Sequence, residues 1–428
     1  MSIGLAVWIG LWCVVTGMWV LRLCLIHSAR RKRNLLGSST YDRPPNPAPR
    51  LSVVVAAKDE EHNIEVCLRT LLDQDYPNYE VIAVDDRSTD GTPAILSRLR
   101  QAGGDRLRVV TVRSLRDGWF GKNNAMREGV QVSTGDWLLF TDADCWQISR
   151  KTLTVAMAKA LEKDLDLLSI TPTMEARAFW EPILMPVCGL VLIAWFLPER
   201  VNNRRRKAAY ANGAFMLMRR SCYELIGGHE GVRNQVNEDV HMARLAKAAG
   251  QRLLVAENDD LYRCRMYRSL VDAWHGWSRI FYGCIQTVPK LAISTAAVLL
   301  LSIFPWVSLV LALLGMGFNG SGGEWLRPVA IGGWTATLVL QLVVTWQFYR
   351  MLQFRGTWCF TYPLGAIVVV TMLLNAMLKA IGAATTTWRG TTYRNGRRED
   401  ERAGRVAADL PTPAVVAAEP FAEPAADA

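Results

Sequence analysis

Four apolar runs, each long enough to cross a bilayer, flank a central stretch of mixed composition, and this limits the chain to membrane-attached architectures. The first run covers residues 3–26. It contains Trp8, Trp12 and Trp19 and holds one charge, Arg22, near its end. Arg30, Arg31, Lys32 and Arg33 follow at once. A cleaved export signal puts its positive charges before a shorter apolar core. Here they come after it, so residues 1–29 are read as a transmembrane anchor, with residue 30 onward in the cytoplasm. The other runs lie at about 291–318, 328–349 and 360–384, within a C-terminal membrane region, 288–387. Pro305-Trp306 interrupts the first of these and predicts a kink or a re-entrant turn. Arg350 and Arg355 mark the next loop as cytoplasmic, yet Arg389, Arg394, Arg397 and Arg398 make the segment after the last run basic as well. Three full crossings would place that segment outside. Either one run does not cross fully, or the tail breaks the charge rule.

Half of the 428 residues are hydrophobic and only 21% are charged, which excludes a wholly disordered chain and exceeds the apolarity of a typical soluble enzyme. The 49 basic and 39 acidic residues leave a net charge of +10. In so apolar a chain this charge fits an anionic membrane or phosphates better than nucleic acid. Nine scattered cysteines with no CxxC pair read as reduced thiols of a cytosol-facing protein. Residues 30–50, basic and then rich in proline, read as a linker to the first strand. Residues 388–428 read as a basic juxtamembrane segment that runs into an Ala/Pro-rich disordered tail, 406–428. A fifth apolar stretch, 179–198, lies mid-chain and is followed by Arg204, Arg205, Arg206 and Lys207.

Between residues 51 and 282, strand and helix patterns alternate. Leu51–Ala57 is a continuous β-branched run suited to a buried parallel strand. Residues 60–73 place Ile64, Leu68, Leu71 and Leu72 on one helical face. Glu80–Val84, Leu107–Val112 and Asp136–Phe140 read as further strands, with a helix near 122–131. This alternation implies an α/β, Rossmann-like doubly wound sheet, in which ligands bind beyond the carboxyl ends of the strands. Two acidic clusters, Asp85-Asp86 and Asp142-Ala143-Asp144, fall at such ends. Paired carboxylates suit Mg²⁺ or Mn²⁺ bridging to phosphates. Asp85 and Asp86 can accept hydrogen bonds from a ribose or a base, or simply shape a turn. Lys122 opens a helix, where it can meet phosphate or face solvent. Glu238-Asp239 opens another, where the helix dipole favours acidic residues in any case.

Seven segments taken together resemble the family 2 glycosyltransferases of the GT-A fold: Val53–Glu60, Val84–Gly91, Gly118–Ala125, Thr141–Asp144, Asn212–Gly228, Asn237–Val240 and Arg265–Arg279. The membrane segments and Trp388-Arg389-Gly390 resemble the lipid-glycosylating branch, which includes carotenoid, hopanoid-associated and ceramide-type glucosyltransferases. The resemblance implies an inverting transfer from a nucleotide sugar, a UDP-hexose, to a lipid hydroxyl. It implies a cytoplasmic catalytic domain on a bacterial inner membrane. Ala57, Lys58, Glu60, Asp85 and Asp86 would line the donor pocket together with Lys122 and Asp142. Asp142 and Asp144 would hold the divalent cation, and Asp239 would be the general base. Glu238, Arg265, Trp277 and Arg279 would serve the acceptor or the diphosphate, with Arg265 and Arg279 equally able to contact lipid phosphate. The sequence departs from the family's Pro-x-Arg-Asn-Glu-like first motif at Ala57-Lys58-Asp59-Glu60. The Gln-x-x-Arg-Trp signature of processive synthases is replaced by Trp274-His275-Gly276-Trp277-Ser278-Arg279. The alternatives are a membrane polysaccharide synthase and a sugar nucleotidyltransferase. Because Asp142, Asp144 and Asp239 must share one site, the resemblance also implies that 179–198 is an interfacial helix rather than a crossing.

Overall fold

The computed structural model describes residues 3–316, 323–388, 391–394 and 397–398. Arg389, Gly390 and the 406–428 tail lie outside them. Eleven strands matter for the site: β1 (Leu35–Leu36), β2 (Leu51–Ala57), β3 (Tyr79–Asp86), β4 (Leu107–Val112), β5 (Trp137–Asp142), β6 (Cys145–Gln147), β7 (Leu167–Thr171), β8 (Thr173–Met174), β9 (Met216–Arg219), β10 (Leu253–Asn258) and β11 (Tyr262–Cys264). The helices used below are α1 (Ile3–Lys32), α2 (Ile64–Leu72), α3 (Thr92–Ala102), α4 (Gly121–Gln131), α5 (Thr152–Glu162), α6 (Glu181–Trp195), α7 (Glu238–Ala248), α8 (Leu270–Ile285), α9 (Val288–Val298), α10 (Phe304–Leu313), α11 (Gly323–Met351) and α12 (Tyr362–Ala380).

Eight strands form one sheet in the order β1-β10-β7-β9-β5-β2-β3-β4. All neighbours are parallel except β9, which runs antiparallel to both β5 and β7. The sheet is therefore mixed rather than wholly parallel. The β-branched run of β2 explains its central place: Val53 and Val55 enter the core on one face, Val54 the core on the other, and all three are fully buried. Register aligns the strand ends. Ala57 pairs with Asp85 and Ala56 with Asp142, so both acidic clusters stand on one rim. The expected linker starts with an edge strand, β1, which pairs with β10.

A second core joins α1, α6 and α8 to the C-terminal helices. α1 and α11 run side by side in the same direction: Trp8 stacks near Trp334 at 5.8 Å, and Trp12 donates to the Thr337 hydroxyl at 3.0 Å. α9 and α10 run the other way, with the Trp19 indole donating to the Leu301 carbonyl at 3.0 Å. A π-helical turn, Leu299–Ile303, joins α9 to α10 and accommodates Pro305, so the expected interruption is a local adjustment within one long helix. α12 packs against α6 and α8, with the Trp274 indole donating to the Thr371 hydroxyl at 2.8 Å. α8 is in turn tied to the sheet unit through Asn237, His241 and Arg244.

The strands before and after α6, β7 and β9, pair with each other. At the α6–α12 crossing, a Cβ on Gly365 would stand 2.2 Å from the Ile183 carbonyl oxygen, a backbone atom. Gly365→Ala is expected to destabilise the protein by about 1–3 kcal/mol through this overpacking. Thermal unfolding of the detergent-purified chain checks it, and an unchanged midpoint contradicts it.

Candidate active site

Three loops meet beyond the rim of the sheet. The Thr141 hydroxyl at the end of β5 donates to the Ala214 carbonyl at 2.7 Å, which brings the 212–214 loop against the Asp142-Ala143-Asp144 turn. Asn123, fully buried in the first turn of α4, donates to the carbonyls of Val232 at 2.8 Å and Gln235 at 2.9 Å. This pins the start of α4 to the segment leading into α7. Asn237 then donates to the Cys284 sulfur at 2.9 Å, tying that segment to α8. Residues far apart in sequence are thus fixed around one point by buried polar groups, each of which costs stability if left unpaired.

Lys122 stands at that point. Its Nζ lies 2.6 Å from Asp142 Oδ1 and 2.7 Å from Glu238 Oε1. Burial alone would lower this ammonium, but Asp142, Glu238 and Asp239 outweigh it and hold its pKa well above the ordinary value. Asp239 Oδ2 accepts from the Gly213 amide at 2.7 Å and Oδ1 from the Val240 amide at 2.7 Å. Burial, then the neighbouring Glu238 carboxylate, pushes its carboxyl up to about 7, against the opposing pull of Lys122 and the two amides. A carboxylate poised near neutrality is matched to taking a proton from a hydroxyl. Gly213 packs close to both groups: a Cβ there would lie 3.1 Å from Lys122 Nζ and 3.3 Å from Asp239 Oδ2.

Asp144 is the second acidic centre. Burial first, and Asp142 second, push its carboxyl up to about 6. A buried carboxylate raised by a neighbouring one is short of positive charge, and a hard divalent cation supplies it. Cys264 and Cys145 donate their thiols to Asp144 Oδ1 at 3.4 and 3.6 Å. Burial pushes the Cys145 thiol up to about 12, and its hydrogen bond with Cys145, then burial, raises Cys264 well above the ordinary range. Both therefore remain neutral donors. The charged oxygens of Asp142 and Asp144 fit a cation such as Mg²⁺ or Mn²⁺ better than the thiols fit a softer one.

A cavity of about 900 Å³ opens from this cluster and brings most of the sequence candidates together. Ala57, Lys58, Glu60, Asp86, Lys122, Asp142, Asp144, Glu238, Asp239, Arg265, Trp277 and Arg279 all line it. Asp85 is not among the lining residues: its carboxylate accepts from the Ser88 amide at 3.1 Å and shapes the turn. Asp86 lines the cavity with both oxygens bound to Arg87, at 2.8 and 3.0 Å. Arg265 donates to Glu181 at 3.0 Å, and the Trp277 indole donates to the Met185 sulfur at 3.3 Å, so both are braced on α6. Sequence reasoning did not single out Asn123, Thr141, Gly213 or Glu181. Asn123 and Gly213 lay inside recognised segments, but nothing in their spacing showed which backbone groups they would meet.

Residues 52–227 match the family described as Glycosyl transferase family 2. This stretch is a family 2 glycosyltransferase domain. The chain is similar to the beta-monoglucosyldiacylglycerol synthase of Synechocystis sp., at 37% identity over 193 residues, which are 44% of this chain and 39% of that relative. It is similar to the enzyme of the same name from Nostoc sp., at 31% identity over 42% of this chain and 38% of that one. The match thus spans about two fifths of those relatives' length. Among solved structures, the mannosyltransferase PcManGT of Pyrobaculum calidifontis, in complex with GDP-Man and Mn²⁺, has a TM-score of 0.51 at 22% identity, covering 87% of this chain and 98% of that one. That likeness in fold reaches beyond residues 52–227 and takes in apolar helices as well.

Proposed function

We propose that the protein transfers a sugar from a nucleotide-sugar donor, a UDP-hexose, to a hydroxyl of a membrane lipid, with inversion at the anomeric carbon. One observation carries this reading: Asp239, Lys122 and the Asp142–Asp144 pair open into a single cavity that the apolar helices α1, α6 and α11 also line. Asp239 takes the acceptor hydroxyl's proton as the oxygen bonds to the anomeric carbon. The bond to the diphosphate breaks with its electron pair leaving on phosphate oxygen, and one displacement inverts the centre. Lys122 faces that developing charge. Asp142 and Asp144 are the residues to hold a divalent cation, which when bound neutralises the diphosphate. The lipid-acting relatives named above support the choice of acceptor. The test is membranes containing the chain incubated with radiolabelled UDP-glucose. Label in a single organic-soluble glycolipid with UDP release is expected. A polymer would point to a polysaccharide synthase, and pyrophosphate to a nucleotidyltransferase.

The acid side of the pH profile follows from Asp239. Its base form is lost as pH falls through about 7, so transfer declines below neutrality. Lys122 opposes protonation there. Lys122→Met is therefore expected to move the acid limb to higher pH, and a limb that stays in place contradicts the arrangement.

For the membrane topology, α1, α9–α10 and α11 are the crossings, and α6 and α12 lie in the interface of a bacterial inner membrane on the cytoplasmic side. The pairing of β7 with β9 and the packing of α12 on α8 support this. The exposed Arg204, Arg205, Arg206 and Lys207 then rest on anionic headgroups. The basic residues after α12 fall inside, which removes the conflict between charge and crossing number. A green fluorescent protein fused to the C-terminus is expected to fluoresce; a dark fusion beside an active alkaline phosphatase fusion would overturn it.

A further inference from the structure

Arg22 is the one charge within the first apolar run. A cation near a helix end ordinarily extends its head to the membrane surface. This one turns inward. Its guanidinium carbon sits 4.6 Å over the Trp19 ring, and its Nη1 is buried in protein with no hydrogen-bond acceptor. A buried, unsatisfied guanidinium donor is costly, and an ionisable side chain at membrane depth that faces a cavity marks a binding position. Arg22 lines the same cavity as Asp142 and Asp239. Eleven residues on, just past the end of α1, Arg33 pairs with Glu257 of β10 at 2.5 Å and ties the helix to the sheet. Arg22 therefore stands about 16 Å along the helix from that anchor, on the membrane side. The lining of that cavity includes the apolar Leu25, Ile26, Leu192, Val344 and Phe348. The Arg22 guanidinium fork, with a buried donor still free in a cavity that also has apolar lining, matches one oxyanion attached to an acyl or prenyl chain.

We propose that Arg22 anchors the oxyanion, phosphate or carboxylate, of an anionic lipid acceptor whose chain lies against α1 and α11 while its hydroxyl reaches Asp239. This rests on the lipid-acceptor reading above and narrows it to a charged class. The test uses the full chain in neutral detergent and titrates dioctanoyl phosphatidate, decanoate and dioctanoylglycerol, with UDP as the donor-site probe. The wild type is expected to bind one of the two anions at least about tenfold more tightly than dioctanoylglycerol. Preference for phosphatidate assigns a phosphate headgroup, and preference for decanoate a carboxylate. Arg22→Gln is expected to remove the preference with UDP affinity unchanged, and Arg22→Lys to retain part of it. Equal binding of the neutral lipid overturns the proposal, as does a preference that survives Arg22→Gln. So does a parallel fall in UDP affinity, which would assign Arg22 to the donor. Unchanged UDP binding also shows that the variant is folded. Failure of the radiolabel assay to yield a glycolipid would sink the lipid-acceptor reading itself, while these affinities would still report on Arg22.

Discussion

Asp239→Asn is expected to lower the rate of sugar transfer about 10²–10⁴-fold, the usual contribution of a positioned general base, and to leave UDP-sugar affinity nearly unchanged. The amide fills the same volume and keeps an acceptor for one of the two amides, Gly213 and Val240, that now hold the carboxylate. It cannot take the hydroxyl proton. The groups assigned to the diphosphate, Asp142 and Asp144, sit on different elements, the last residue of β5 and the turn after it. Single-turnover kinetics beside calorimetric titration of UDP separates the two effects. A variant that loses transfer and UDP binding to the same degree would remove the base role from Asp239.

Asp144→Asn is expected to weaken Mn²⁺-dependent UDP binding about 10–100-fold, the loss of one charge-assisted interaction. Without metal the affinity should barely move. The reason is electrostatic. Burial and Asp142 raise the Asp144 carboxyl to about 6, so its charge is held against its surroundings and a cation that shares it relieves that opposition. Asp142→Asn should weaken binding in the same sense and also take one of the two close partners from Lys122. Calorimetry that finds the same affinity in Mn²⁺ for the wild type and either variant would dismiss the metal assignment.

Much of this site was legible before any coordinates. Leu51–Ala57 was readable because a strand buried on both faces is apolar almost throughout, and here only Ser52 is polar, its hydroxyl paired with Glu80. The two acidic clusters share a rim because parallel strands begin and end together. The direction of β9 was not legible: Met216-Leu217-Met218 satisfies a buried strand of either sense, and only its pairing with β5 and β7 makes it antiparallel. Asp85 shows the limit of reading by type. Its neighbour Asp86 lines the cavity while Asp85 turns to the Ser88 amide, a choice made by strand alternation and the left-handed Arg87 at φ +57°. Hydropathy marked α6 and α12 as strongly as it marked α1, because apolarity records burial in something other than water and not the direction of travel. Arg22 was visible as a charge, but not as one that faces inward.

The pairing of β7 with β9 around α6 bears on how the chain is made. β9 can join the central sheet only after the apolar α6 segment that precedes it has left the ribosome. Trimming both ends of the gene leaves this apolar helix in place, since it is threaded through the middle of the β-structure.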